Sequence, residues 1–145
     1  MSKIKLDIVT MERLLISEDV DYVSAPAVDG IVGILPKHAP LLTALSFGEL
    51  RYKKGSAEYS FVIGGGFMEV RPDKVTVLAD VAEQADEIDE KRAEAARRHA
   101  QESLKEKPRT SVDYIALENA LRRAEVRLKV VRKKHSGLPM ETRGE

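Results

Sequence analysis

The sequence predicts a β + α protein in which an amino-terminal antiparallel β-sandwich or flattened barrel is followed by a carboxy-terminal antiparallel hairpin of two helices. Apolar residues alternate with polar ones over roughly the first 80 residues, which is typical of half-buried strands. After Asp80 the chain is rich in Ala, Glu, Arg and Lys, with apolar residues three or four apart. We expect a β-sandwich over residues 1–84, a helical hairpin over 85–134 and a frayed tail over 135–145.

Short alternating segments predict the strands. Ile4, Leu6 and Ile8 alternate with charged residues, so one face of the strand lies on a core and the other in water. The alternation recurs at residues 50–53, 59–63 and 75–77. Turn-forming residues separate the segments: Asp29-Gly30, Pro36, Gly48, Lys54-Gly55, Gly64-Gly65-Gly66 and Pro72-Asp73. Many short strands with closely spaced turns favour an antiparallel sandwich or flattened barrel.

Residues 83–106 predict the first helix. The segment contains no Gly or Pro, and acidic residues gather at its amino end, where the helix dipole favours negative charge. Its small and apolar residues share one face: Ala93, Ala96, Ala100 and Leu104. The sequence Lys107-Pro108-Arg109 ends the helix.

A second helix follows, and we expect Thr110 to cap it because Asp113 stands three residues later. Its apolar residues form a heptad seam: Leu117, Leu121, Ala124, Leu128 and Val131. Two helices of about 20 residues joined by a short loop are expected to pair antiparallel. Such a pair buries little apolar surface, so it needs a docking surface, and a hairpin with two docking surfaces can act as a switch.

The composition excludes several classes of function. Of 145 residues, 43% are hydrophobic and 33% charged, which indicates a globular chain. Lys plus Arg and Asp plus Glu both total 24, so the charge does not favour a nucleic-acid partner. The absence of cysteine excludes disulfides and thiolate nucleophiles. Apolar runs stay far short of the roughly 20 residues of a membrane span, and no signal peptide is recognisable, so we expect a cytoplasmic protein without direct membrane insertion.

No arrangement of residues predicts a catalytic or metal site. Gly64-Gly65-Gly66 lacks the Lys-Ser/Thr of a phosphate loop and precedes strand-like residues, so we expect a turn or bulge between strands. His38, His99 and His135 lie too far apart for a metal motif. We therefore expect a protein that is not an enzyme and requires no cofactor.

Three arginines of the hairpin form the best candidate for a binding site. If the chain folds back at its predicted loop, Arg92 faces the region of Arg123 and Arg127, with Asp89 one turn away. Like charges at this spacing repel unless an anion or a carboxylate lies among them. Anion binding is therefore one interpretation of the cluster. The residues alone favour the other, which is ordinary surface ion pairing with Asp89 or Glu125, worth only about 0–1 kcal/mol.

Four stretches together resemble the epsilon subunit of the F-type ATP synthase. They are GIVGILPKHAPLLT at residues 30–43, GELR at 48–51, GGFMEV at 65–70 leading to VTVLAD at 75–80, and IDEKRA at 88–93. The resemblance extends from Ile4 to Val131, with the stretches in the family's order and spacing. Any one stretch is weak by itself, whereas four in register are specific.

The resemblance implies a rotor component that lies on the central stalk, between the gamma subunit and the membrane ring of c subunits. Such a subunit couples proton-driven rotation to ATP synthesis on other subunits. In bacterial members the hairpin folds onto the sandwich or extends along gamma toward the alpha and beta catalytic subunits, where it inhibits ATP hydrolysis. The chain is then peripheral, on the cytoplasmic face of the bacterial plasma membrane.

Some members of the family bind ATP as a regulatory ligand in the folded hairpin, through a motif like Ile88-Asp89-x-x-Arg92-Ala93 and arginines of the second helix. Carried over by position, the resemblance implies these nucleotide-binding residues: Glu83, Ile88, Asp89, Arg92, Ala93, Arg123 and Arg127. The set includes the arginines that folding back brings together. The loop that resembles the contact with the membrane ring implies a partner interface at Gly30, Ile31, His38, Ala39 and Pro40.

Three residues depart from the family pattern. His99 stands where some ATP-binding members carry an arginine, so we expect ATP binding to be weaker or absent. Ile31 replaces a commonly acidic residue, and Lys37 replaces a glycine. The first hypothesis is a regulatory rotor subunit, and the alternative is an ATP-sensing module whose hairpin has little inhibitory role.

Overall fold

The sandwich is built from eight strands that curl around one apolar core. The computed structural model describes residues 2–135. The strands are β1 (Ile4–Val9), β2 (Leu14–Val20), β3 (Tyr22–Ala27), β4 (Gly30–Ile34), β5 (Leu41–Ala44), β6 (Gly48–Lys54), β7 (Ala57–Val70) and β8 (Lys74–Gln84). They form one sheet in the order β2-β1-β8-β7-β6-β3-β4, with β5 paired to β7. The expected β-sandwich followed by two helices is confirmed, although β1 and β8 pair in parallel rather than antiparallel.

Alternating residues of the strands fill the core. Ile4, Leu6 and Ile8 are fully buried, as the alternation predicts. The edge strand β2 meets β6 across the core, where the Tyr52 hydroxyl of β6 donates a hydrogen bond of 2.9 Å to the Glu18 carboxylate of β2. This contact joins β2 to β6 although several strands separate them in the sheet order.

Strand β7 bends at three consecutive glycines. The sequence suggests that these glycines separate two strands. Instead β7 is continuous, because β8 pairs with it on both sides of the glycines in one register. The first half of β7 pairs with β6 and the second half with β5. Gly66 has a φ of 96°, and a Cβ there would lie 1.9 Å from the carbonyl oxygen of Leu78. Only glycine fits this position, and its role is structural.

The first helix begins later than the sequence suggests. Strand β8 continues through Gln84 because its last residues pair with β7, and a 3₁₀ turn (Ala85–Glu87) follows. Helix α1 (Glu90–Leu104) therefore has 15 residues rather than about 20. Asp89 caps α1, because its carboxylate accepts a hydrogen bond from the backbone N–H of Arg92.

Helix α2 (Val112–His135) begins after Ser111, so the expected cap at Thr110 is wrong. The Ser111 hydroxyl accepts a hydrogen bond of 3.1 Å from the backbone N–H of Tyr114, as an N-cap residue does. Although α2 has 24 residues, no described helix is both long and apolar enough to cross a membrane. The predicted frayed tail, residues 135–145, lies outside the described residues except for His135, which ends α2.

The two helices pair along the predicted faces. Ala93 and Ala100 of α1 are buried against the seam of α2, where Ala124, Leu128 and Val131 are also buried. Ala96 shares the α1 face but is exposed, because it borders an open cleft between the helices.

Helix α2 docks the hairpin onto the outer face of β6 and β7. Val62 of β7, Val130 of α2 and Ala85 are buried together in this contact. Half-buried residues pack around them: Phe47, Ile88 and Val126. The hairpin thus finds the docking surface that its small apolar area requires.

Candidate functional site

A cleft of about 460 Å³ opens between α1, α2 and the end of β8. All seven residues that the resemblance implies for nucleotide binding line it: Glu83, Ile88, Asp89, Arg92, Ala93, Arg123 and Arg127. Four further residues complete the lining: Glu87, Ala96, Ala120 and Ala124. We call this space the hairpin cleft.

Small side chains keep the hairpin cleft open. Ala93 and Ala96 on α1 border it together with Ala120 and Ala124 on α2. Because an alanine side chain ends at Cβ, these positions leave a space that longer side chains would fill. The sequence analysis did not single out Ala120. Small residues at facing positions of two paired helices are the signal that could have located the cavity.

Arg127 is held against the sandwich wall of the hairpin cleft. Its guanidinium donates two hydrogen bonds to the Glu83 carboxylate, at 2.9 and 3.1 Å. The same guanidinium lies 5.5 Å from the centroid of the Phe47 ring. A bidentate ion pair and a cation–π contact together fix its position. Glu83 therefore neutralises one of the three arginines, and Phe47 is a contact that the sequence analysis missed.

Arg92 and Arg123 keep their positive charges available. Both residues are exposed, and no carboxylate among the described residues pairs with either guanidinium. Asp89 does not act as their ion-pair partner, because its carboxylate caps α1. His99 is exposed and is not part of the cleft lining. The hairpin cleft therefore presents two arginines without a described ion-pair partner beside one fixed ion pair, and the Asp89 and Glu87 carboxylates also lie in its lining.

The five predicted interface residues fall into two groups at opposite ends of β4. Gly30 and Ile31 begin β4, and Ile31 is 79% exposed. His38, Ala39 and Pro40 lie in the loop that follows the strand. At about 3.3 Å per residue, β4 separates the two groups by about 13 Å, so they do not form one cluster.

Lys37, which replaces a family glycine, adopts a glycine-like backbone. Its φ is 68°, in the left-handed region that costs a lysine more than a glycine. Its backbone N–H donates a hydrogen bond of 2.8 Å to the carbonyl oxygen of Pro72. The loop before β5 is thereby tied to the turn between β7 and β8.

A second group of charges fastens α2 to the sandwich. The Glu49 carboxylate, only 7% exposed, accepts hydrogen bonds from Lys133 Nζ at 2.6 Å and from the Ser60 hydroxyl at 2.7 Å. Lys129 Nζ lies 3.5 Å from the same carboxylate. Burial alone raises the pKa of Glu49, but the hydrogen bonds and the two lysine charges lower it overall. We call this contact of Glu49 with Lys133, Lys129 and Ser60 the clasp. The sequence analysis missed it because Glu49 and Lys133 are 84 positions apart.

An apolar stripe crosses the outer face of the other half of the sheet. Phe67 of β7 lies opposite Ala44 of β5 and Leu78 of β8, and Leu78 lies opposite Val9 of β1. Phe67 and Leu78 are each 55% exposed. The stripe continues through Leu42 and Leu14, which are also exposed. Exposed apolar side chains in a contiguous row indicate a surface that another protein covers.

The fold defines the class of protein: a β-sandwich that carries a docked helical hairpin. Two family models match this architecture. The model of the β-sandwich domain of the ATP synthase delta/epsilon chain matches residues 3–85, and that of the long α-helix domain of the same chain matches residues 86–132. The chain belongs to the delta/epsilon chain family of the ATP synthase, which confirms the resemblance found in the sequence.

Individual relatives agree with the family models. The ATP synthase epsilon chain of Herpetosiphon aurantiacus is 56% identical over 129 residues, which cover 89% of this chain and 94% of that protein. The epsilon chain of Dehalococcoides mccartyi is 54% identical over 134 residues, which cover 92% and 96%.

Solved structures share the fold. A chain of the Euglena gracilis mitochondrial ATP synthase (OSCP/F1/c-ring) matches with a TM-score of 0.66 at 22% identity, over 94% of this chain and 81% of that one. A chain of the Tetrahymena thermophila mitochondrial ATP synthase central stalk and c-ring matches with a TM-score of 0.52 at 14% identity, over 92% and 96%.

Replacing Glu49 by Gln is expected to loosen α2 at neutral pH. The pKa of Glu49 in the folded chain lies below its usual value of 4.5, so the ionised carboxylate stabilises the fold above about pH 4.5 and less as the pH falls. The cost at pH 7 is expected to be about 1–3 kcal/mol. Hydrogen exchange of the α2 amides should separate Glu49→Gln from the wild type at pH 7 and bring the two together well below pH 4.5. Glu58→Gln, which removes a pair with Arg51, is the control. An equal difference at both pH values would contradict the role of the clasp.

Proposed function

We propose that the chain is a non-catalytic rotor subunit on the central stalk of a proton-translocating F-type ATP synthase, peripheral on the cytoplasmic face of the bacterial plasma membrane. Family membership carries this proposal, because the matches to the two family models extend from residue 3 to residue 132. The sandwich is the fixed attachment to the rotor, through which rotation of the membrane ring is coupled to ATP synthesis. The hairpin is the movable, regulatory part, and catalysis takes place on the alpha and beta subunits.

The outer apolar stripe supports a contact with the gamma subunit. Phe67 and Leu78 are both 55% exposed on the outer face of the sheet, and a sheet face in contact with water usually carries polar residues. Helix α2 docks on β6 and β7 through Val62 and does not involve the stripe. The sandwich can therefore stay attached to gamma through the stripe whether the hairpin is docked or extended.

Replacing Phe67 by Asp is expected to weaken assembly with gamma, because it puts a charge in an apolar contact. The affinity of the chain for the isolated gamma subunit should fall about tenfold or more, measured by surface plasmon resonance. Ser56→Asp adds the same charge at the exposed turn between β6 and β7 and should leave the affinity unchanged. Equal affinities of the two variants would exclude the stripe as the gamma contact.

The two ends of β4 support a contact with the c-subunit ring. Ile31 is 79% exposed at one end, and the loop of His38, Ala39 and Pro40 follows the other. Since these groups are separated along the strand, the contact is an extended surface rather than a single patch. The replacement of an acidic residue by Ile31 makes this surface more apolar than the family pattern.

The way the hairpin docks supports an inhibitory role. Its contact with the sandwich includes the small apolar cluster around Val62 and Val130, the clasp of Glu49 with Lys133 and Lys129, and the ion pair of Arg127 with Glu83. The sandwich core does not include these residues, so the hairpin can detach without unfolding the sandwich. Once detached, α1 and α2 extend along gamma toward the catalytic subunits and block ATP hydrolysis.

Deleting the chain beyond Asp86 is expected to raise ATP hydrolysis by the reconstituted complex while rotation stays coupled to synthesis, because the inhibitory hairpin is lost. Glu49→Gln is expected to lower ATP hydrolysis, because it weakens the docking of the hairpin without removing the hairpin. Steady-state ATPase assays and proton pumping in membrane vesicles measure both. Unchanged hydrolysis in the deletion variant would contradict the inhibitory role.

The hairpin cleft supports ATP binding to the docked hairpin. It holds Arg92 and Arg123 without carboxylate partners, and Arg127 beside them. Guanidinium groups bind phosphate oxygens in a bidentate geometry. The volume of about 460 Å³ lies within the usual range for small-molecule sites. ATP bound between α1, α2 and β8 would hold the hairpin in its docked position.

Calorimetry with ATP is expected to show binding by the wild-type chain and about tenfold or greater loss of affinity in Arg92→Ala and Arg123→Ala. Arg98→Ala is the matched control, since Arg98 is an exposed arginine of α1 outside the hairpin cleft. No heat from the wild type would remove the ATP site. Binding of ATP together with unchanged hydrolysis in the deletion variant would favour the alternative, an ATP-sensing module with little inhibitory role.

A further inference from the structure

A second cleft, of about 470 Å³, lies between another face of α2 and the sandwich. Four residues of α2 line it at intervals of four, three and four, so they form one stripe along the helix: Arg122, Val126, Lys129 and Lys133. The opposite wall consists of residues of β3, β4 and β6 and the loop before β6. We call this space the docking cleft, because it lies along the contact between hairpin and sandwich.

Positive charge is in excess in the docking cleft. Its lining includes four cations, with Arg51 on β6 added to the three of α2, and a single carboxylate, Glu49. Glu49 binds Lys133 most closely, at 2.6 Å, and Arg51 pairs with Glu58 at 3.4 Å. Lys129 is held more loosely, at 3.5 Å, and its side chain is 64% exposed.

Arg122 forms no ion pair within the described part of the chain. Its side chain is exposed on α2, and no described carboxylate pairs with it. Glu58 pairs with Arg51 and Glu49 is shared by Lys133 and Lys129, so one carboxylate and one unpaired arginine leave the lining with an excess of positive charge that a bound anion would offset. An apolar strip of Pro26, Phe47 and Val126 lies beside these cations.

We propose that the docking cleft binds a phosphate-bearing anion. Arg122 and Lys129 hold the phosphate from the hairpin side, and Arg51 holds it from the sandwich side. A guanidinium matches two phosphate oxygens at once, and a lysine adds a mobile point charge. Since the ligand bridges two parts of the chain, its binding stabilises the docked hairpin by linkage.

This site is distinct from the proposed ATP site, and two neighbouring arginines of α2 belong to different clefts. Arg122 lines the docking cleft, whereas Arg123 lines the hairpin cleft. Adjacent residues of a helix point about 100° apart, so one helix turn serves both clefts. The two arginines can therefore be replaced independently: Arg123→Gln removes a guanidinium from the hairpin cleft and leaves the guanidinium of Arg122 in the docking cleft.

The test is calorimetry of the full chain with pyrophosphate at low ionic strength. The measurements use a chain that already carries Arg123→Gln, so that the hairpin cleft contributes less to phosphate binding. In this background the affinity is expected to fall about tenfold or more when Arg122→Gln or Lys129→Gln is added, and to stay unchanged when Arg98→Gln is added, because Arg98 lies outside both clefts. Pyrophosphate should also slow hydrogen exchange of the α2 amides in the background chain and not after Arg122→Gln is added. ATP binding tests the hairpin cleft instead. If the wild type does not bind ATP, the proposed ATP site is excluded, and the pyrophosphate measurement still decides whether the docking cleft binds phosphate.

A second arm distinguishes a soluble phosphate from a lipid headgroup. Sedimentation with vesicles of phosphatidylglycerol is compared with sedimentation with vesicles of phosphatidylcholine, for the wild type and for Arg122→Gln. Binding to phosphatidylglycerol that Arg122→Gln removes, without pyrophosphate heat, supports a lipid headgroup as the ligand. Pyrophosphate heat that Arg122→Gln removes supports a soluble phosphate. Neither response in the wild type, or responses that Arg122→Gln leaves intact, would overturn the proposal.

Discussion

The contact of α2 with the outer face of β6 and β7 is the interaction on which the position of the hairpin and both clefts depend. Burying a valine contributes about 1.5–3 kcal/mol, so the small cluster around Val62 and Val130 holds the hairpin only moderately. The clasp of Glu49, Lys133 and Ser60 adds a directional component, because a buried carboxylate without its partners is costly. A contact of this kind fixes one register of the hairpin on the sandwich, and its small apolar area is what the proposed detachment requires.

Both clefts exist only because α2 is docked. The hairpin cleft needs β8 as its third wall, where Glu83 holds Arg127. The docking cleft needs the sandwich surface opposite Arg122. Phe47 lies between the two, since its ring contacts Arg127 and also lines the docking cleft. A ligand of the kind proposed for either cleft would therefore act on the same contact between the hairpin and the sandwich.

The regular parts of the fold were predictable from local patterns. Alternation placed Ile4, Leu6 and Ile8 in the core, and the heptad seam placed Leu128 in the helix pair. The errors arose where tertiary pairing overrides local preference. The composition of the segment that begins at Glu83 favours a helix. Glu83 and Gln84 nevertheless pair with β7, and hydrogen bonding to that strand decides their conformation.

By itself the sequence determined the order of the two parts, the alternation and seam that fold each of them, the family, and the arginines that meet when the hairpin closes. The bonds between the parts were decided only by the tertiary structure: the pair of Glu83 with Arg127, the clasp of Glu49 with Lys133, and the separation of Arg122 from Arg123 into two clefts. The physical reason is the separation of the partners along the chain. Periodicity shows which face of an element is apolar, whereas charged residues that are distant in sequence meet only after the apolar faces have docked.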